Sequence, residues 1–247
     1  MNGYGRGLFG LPPVVKNIIL LNILMFIINL ASKSVYGIEL NMRLGLYFPA
    51  SEHFMPLQIV THMFMHGDFW HLFFNMYALY IFGQVLEGVW GPKRFFIYYM
   101  ICGLGAAFIH ELVIFFQYNS VMNSLAPDQI QLVLDEGAEI ISQGKTFSNE
   151  AMRDLQMILN TPTVGASGAI FGVLLAFGVL FPNTQLILLI PPMPVKAKYL
   201  VIFYGGLELF LAITQPGSNI AHAAHLGGML FGYILIRYWR KTTNTLY

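Results

Sequence analysis

A serine, two histidines and an asparagine could do chemistry in this sequence. Ser167 stands between glycines in Gly165-Ala166-Ser167-Gly168, near the expected start of an apolar helix. A hydroxyl is a weak nucleophile until a base takes its proton. The free N–H groups at a helix start can stabilise an anion, and Gly165 and Gly168 leave room for a substrate backbone. His225, Gly228 and Gly232 are spaced three and four apart, so they share one helix face. The two glycines let another helix approach closely and hold the imidazole against it. His71 and Asn75, at i and i+4, project toward one site. They could donate to the oxyanion of a tetrahedral intermediate. No Asp or Glu is placed by the sequence to orient His225, so the set reads as a dyad and not a triad. Each piece also has a plain structural reading. Serine among small residues lines many membrane-helix contacts, and a histidine beside GxxxG can be a hydrogen-bonded core residue.

The elements that must position these groups are lipid-facing. The chain is 56% hydrophobic and 10% charged, with a mean hydropathy of +0.62. Soluble domains carry about 25% charged residues. A net charge of +1 gives no basis for nucleic-acid binding. The single cysteine, Cys102, excludes an internal disulfide and reads as a small buried hydrophobe. A spanning helix needs about 20 apolar residues. Six segments qualify: Val14–Ala31, Trp70–Leu86, Phe95–Phe116, Val164–Phe181, Tyr199–Ile213 and Ile220–Trp239. The expected fold is therefore an all-α, polytopic, six-transmembrane-helix bundle. Pro191, Pro192 and Pro194 break the chain before the fifth span. Arg6 and Lys16 ahead of a long apolar run resemble a secretory signal, but the run is long for one and Ala31-Ser32-Lys33 is a poor cleavage site.

Lys and Arg set the expected orientation. With both termini cytoplasmic, that side holds Arg6, Lys16, Lys93, Arg94, Lys196, Lys198, Arg237, Arg240 and Lys241. The opposite side holds Lys33, Arg43, Lys145 and Arg153. Residues 1–13 and 240–247 are then cytoplasmic segments flanking a membrane domain at 14–239. Residues 33–69 and 119–161 form outer loops. The second loop is acidic and reads as two amphipathic helices, 127–142 and 148–160, with Ser148 as N-cap of the latter. Met152, Leu155, Ile158 and Leu159 share a face. This region reads as a solvated cap, with a substrate-gating lid as the alternative.

Taken in order, the motifs resemble the rhomboid intramembrane serine proteases. The matching residues are His66…His71…Asn75, Gly165-Ala166-Ser167-Gly168, and His225 with Gly228 and Gly232. Gly83…Glu87…Gly91 matches the family's GxxxExxxG pattern. The resemblance covers roughly residues 44–236. It implies Ser167 as nucleophile, His225 as general base, and His71, Asn75 and the Ser167 N–H as the oxyanion site. It implies a supporting role for His66 and a structural one for Glu87, at the end of the second helix. It also implies a substrate gate made by the fifth helix and the Thr214–Ile220 loop. Two positions depart from the family. Leu57-Gln58 replaces a frequent Trp-Arg pair, and Phe171 stands where tyrosine is frequent, keeping a ring to pack on His225 but losing its hydroxyl.

The implied activity is endopeptidase cleavage of transmembrane protein substrates at or near the outer membrane face, in a lipid bilayer, without cofactor or metal. A bacterial cytoplasmic membrane is the expected location. A zinc protease built on His62, His66, His71, His222 and His225 is the alternative enzyme, but no HExxH is present. An inactive relative that binds membrane segments is the non-enzyme alternative, and both Ser167 and His225 speak against it. A transporter would show inverted broken helices, and none is evident.

Overall fold

Lipid offers no partner to a bare backbone amide, so apolar runs of this length must satisfy their own hydrogen bonds as helices. The computed structural model describes residues 10–187, 193–214 and 221–242. Arg6, the Pro191-Pro192 pair, residues 215–220 of the expected gate loop, and 243–247 lie outside the described residues.

Eight principal helices follow one another: α1 (Pro13–Tyr36), α2 (Phe69–Trp90), α3 (Pro92–Ser124), α4 (Pro127–Ser142), α5 (Glu150–Asn160), α6 (Ser167–Leu180), α7 (Ala197–Thr214) and α8 (His222–Thr242). A small antiparallel hairpin, β1 (Gln185–Ile187) with β2 (Pro194–Lys196), precedes α7. Helices α1, α2, α3 and α7 are long and apolar enough to cross a membrane on their own. Helix α6 has 14 residues, about 21 Å at 1.5 Å per residue. Helix α8 has 21 residues and ends on Arg240 and Lys241. The molecule is an all-α polytopic bundle.

The fourth expected span begins too early. Thr163 is held by Leu46 through paired backbone bonds of 2.9 and 2.8 Å, and the Gly165 N–H donates to the His62 carbonyl at 2.9 Å. With its backbone bonded sideways, this stretch cannot enter a helix, so α6 starts at Ser167. Helix α2 contains one wide π-type turn at Leu79–Gly83. Its start is fixed by Asp68, whose Oδ1 accepts from the His71 N–H at 2.9 Å. An aspartate in that position satisfies an otherwise orphaned first-turn donor.

The core is a seam between α3, α6 and α8. Small residues make it possible: Gly103, Ala106, Gly168, Ala169, Gly172 and Ala224 are all buried. A methyl group on Gly228 would collide with the carbonyl oxygen of Gly168, and one on Gly232 would collide with the Tyr98 hydroxyl. That hydroxyl donates to the Gly172 carbonyl at 2.8 Å. Cys102 is fully buried and free in the same seam.

Helix α1 is attached by a charge. The Glu87 carboxylate accepts from the N–H groups of Val14 at 2.9 Å and Val15 at 2.7 Å. These are first-turn donors with no partner inside the helix, and an anion there is further favoured by the helix dipole. Helices α4 and α5 form a separate small core around Val133, Met152, Leu155 and Leu159. The cap of α5 is Asn149, whose Oδ1 accepts from the Met152 N–H at 3.1 Å, one residue later than the expected Ser148. Ile158 is half-buried, and Gln156 takes the buried position, donating to the Gly137 carbonyl at 2.9 Å.

Candidate active site

Ser167 opens α6, and His225 lies in the first turn of α8. The close α6–α8 approach at Gly168 and Gly228 brings Ser167 Oγ to 2.8 Å from His225 Nε2. Phe171, one turn along α6, stacks on the imidazole with ring centroids 4.2 Å apart and planes 10° apart. The ring limits imidazole rotation without a hydroxyl.

Gly165 has φ +131°, a conformation that an L side chain rarely adopts. A methyl group there would lie 2.7 Å from His71 Nε2 and 3.6 Å from Ser167 Oγ. A side chain at this position would therefore crowd His71, and glycine keeps the space between His71 and Ser167 open. His71 Nδ1 accepts a long 3.4 Å bond from the Gly67 N–H. An imidazole that accepts at Nδ1 carries its proton on Nε2, the nitrogen beside Gly165. Asn75, one turn along α2, is buried, and its Nδ2 bonds to no group among the described residues. His66 packs edge-on against His71 with ring centroids 4.9 Å apart. Burial, then the neighbouring His71, pushes the His66 imidazole down to about 3, so it is neutral at physiological pH.

Three residues of the site were not anticipated. His110 of α3 bonds through Nε2 to Thr163 Oγ1 at 2.7 Å. With His62, Gly165 and Ser167, these two line a cavity of about 20 Å³, room for one water. Glu208 of α7 is the third. Its Oε2 lies 2.6 Å from His222 Nδ1 and 3.0 Å from His225 Nδ1. The expectation that no carboxylate faces His225 is thereby corrected. Glu208 lies 17 positions before His225 on a separate helix, so spacing along the chain could not place it. Its presence in an apolar span was the available signal, since ionisable groups there are kept for a purpose.

Of the five histidines weighed as zinc ligands, His222 and His225 converge, and Glu208 completes a trio whose donor atoms lie within 4.8 Å of one another. Tetrahedral ligands at about 2.0–2.1 Å from zinc stand more than 3 Å apart. The 2.6 and 3.0 Å separations to Glu208 Oε2 are those of hydrogen-bonding partners instead.

Gln58, in place of the family's frequent arginine, organises the first loop. Its Oε1 accepts from the Tyr47 and Met55 N–H groups, and its Nε2 donates to the Arg43 and His53 carbonyls.

A helical bundle with a serine–imidazole pair at its core defines a class, and sequence comparison agrees with it. Residues 53–242 match the Rhomboid domain, and the chain belongs to the rhomboid family. It is 29% identical, over 76% of its length, to Rhomboid protein 1, mitochondrial, of Saccharomyces cerevisiae. It is 31% identical, over 69% of its length, to RHOMBOID-like protein 12, mitochondrial, of Arabidopsis thaliana. A third relative, Rhomboid protease AarA of Providencia stuartii, is 28% identical over 74% of the chain. The matches span 43%, 42% and 57% of these relatives' own lengths. The mitochondrial relatives overturn the expectation of a bacterial cytoplasmic membrane. That expectation rests on the compact six-span plan, which does not encode which organelle the bilayer encloses.

Proposed function

We propose that this chain is an intramembrane serine endopeptidase of a mitochondrial inner membrane, cutting transmembrane protein substrates through a Ser167–His225 dyad. The 2.8 Å contact between Ser167 Oγ and His225 Nε2 is the observation that carries the reading. Ser167 Oγ attacks the scissile carbonyl carbon while its proton passes to His225 Nε2. The oxyanion receives His71 Nε2–H, the Asn75 amide and the Ser167 N–H. Those donors stand where α2 meets the start of α6, beside the bare Gly165 backbone, which leaves room for the substrate strand. His225 then hands its proton to the leaving amine. A water entering beside Ser167 hydrolyses the acyl-enzyme with His225 again as base. His66 supports the neutral His71, Gly228 and Gly232 hold α8 at working distance, and Glu87 anchors α1. Cleavage falls at or near the outer membrane face, the side carrying residues 33–69 and 119–161. The membrane domain is 14–239, flanked by the short segments 1–13 and 240–247.

The test is cleavage of a transmembrane reporter by purified protein in liposomes, with fluorophosphonate labelling alongside. Wild type cleaves and is labelled at Ser167. Ser167→Ala and His225→Ala each lose at least about 10³-fold in rate. Wild-type activity in a Ser167→Ala variant sinks the proposal.

A further inference from the structure

Glu208 is the group that the chemistry above leaves unused. It is 7% exposed on a helix whose Ile202, Phe203, Leu209, Phe210 and Ile213 all face outward. A carboxylate buried in an apolar helix is costly and persists where it has partners. Here both partners are imidazoles of one α8 turn, His222 and His225, and both present Nδ1 to the same oxygen. The His222 contact is an aligned hydrogen bond. The His225 contact has the distance without the alignment. Such bonds at active sites commonly tighten only when substrate is bound.

The chemistry requires one tautomer of His225. Ser167 can give its proton to Nε2 only if Nε2 is the bare nitrogen, so the resting proton belongs on Nδ1. A carboxylate beside Nδ1 selects that tautomer. It also stabilises the imidazolium formed when the Ser167 proton arrives.

We propose that Glu208 is a positioning residue for His225, turning the Ser167–His225 pair into a Ser–His–Glu relay whose third member is supplied by α7. The proposal rests on the dyad reading. The Ser167 proton moves to His225 Nε2 and from there to the leaving amine. The Nδ1 proton stays on His225 throughout, bonded to the Glu208 carboxylate, which remains ionised. His222 donates its own Nδ1–H to the same oxygen and keeps the carboxylate from turning away.

The experiment compares wild type, Glu208→Gln, Glu208→Asp, Ser167→Ala and His225→Ala as full chains in liposomes with a transmembrane reporter. Glu208→Gln preserves shape but offers Nδ1–H an amide in place of an anion. Its kcat is expected to fall about 100-fold or more, with KM and thermal midpoint near wild type. Glu208→Asp is expected to recover at least about tenfold of that loss. Histidine-selective ¹⁵N NMR of the wild type, which needs no variant to fold, is expected to show His225 protonated at Nδ1. Wild-type kcat in Glu208→Gln, a loss seen only as raised KM or lowered melting, or a resting proton on Nε2 each overturn the proposal. So does loss of wild-type activity on chelator treatment, which would make the trio a metal site. If Ser167→Ala or His225→Ala cleaves, the dyad reading itself fails. An active Glu208→Gln with both of those dead removes Glu208 alone.

Discussion

Helices α6 and α7 lie side by side and are built on opposite plans. Ten of the 14 residues of α6 are buried, glycines and alanines among them. Of the 18 residues of α7, the buried ones are Ala197, Val201 and Glu208. Helix α6 is fixed by interlocked backbone and gives Ser167 a single location. Helix α7 rests on the bundle by a narrow contact that includes one carboxylate. Tight packing defines where the Ser167 hydroxyl is, and a loose neighbour touches the imidazole of His225 beside it. Interiors respond steeply to small volume changes because they are close-packed, so the two helices should answer substitution very differently.

The contrast breaks first at Gly228. Gly228→Val places carbon where the Gly168 carbonyl oxygen stands. A loss of about 3 kcal/mol or more is expected, read as a lowered unfolding midpoint in detergent together with lost cleavage. A wild-type midpoint would show that the α6–α8 seam is not tight. Next comes Gly165→Ala, where an unfavourable φ and the crowding of His71 coincide. Reporter cleavage should fall about 100-fold through kcat, as for loss of an oxyanion donor, while melting changes little.

His66 gives a pH-dependent effect. Its folded value near 3 lies below the ordinary 6.5, so the unfolded chain takes up a proton first as pH falls. Its share of stability is complete above about pH 6.5 and is lost progressively from there down toward 3. At pH 4.5, two units below the unfolded value, that share is about 3 kcal/mol lower than at pH 7.5. A His66→Asn protein should therefore show a smaller drop in midpoint between those two pH values than wild type does.

Glu87→Gln keeps a hydrogen-bond acceptor but removes the anion at the start of α1. About 1 kcal/mol should be lost, visible as earlier proteolysis of α1 from the bundle. The smallest effect belongs to the outer face of α7. Phe203→Ala should change stability by no more than about 0.5 kcal/mol, and a larger loss would mean that α7 is bound more firmly than its contacts show.

Much of this was legible in the sequence for a physical reason. Apolar runs cannot avoid being helices in lipid, so the six segments appear wherever composition demands them. Ser167, His225, His71 and Asn75 were found because small residues and polar groups in those runs are costly and conspicuous. The boundaries were less legible. Val164 is as apolar as its neighbours, and only the sideways pairing of Thr163 and Gly165 with the first loop excludes it from α6. Gln58 read as a departure from a family pattern, while its amide in fact bonds four backbone groups of the first loop. Glu208 stayed hidden because its meaning depends on which helix face meets α8, and nothing local encodes that.

The brevity of α6 has a metric consequence. About 21 Å of helix is shorter than a hydrocarbon layer of roughly 30 Å. If its far end sits at one polar boundary, its first residue stops several ångströms short of the other. On the proposed function, helix length then acts as a ruler for where a client chain would be cut. Inserting one turn, about 5.4 Å, would carry the scissile position toward the headgroups and shift the product termini by a countable number of residues.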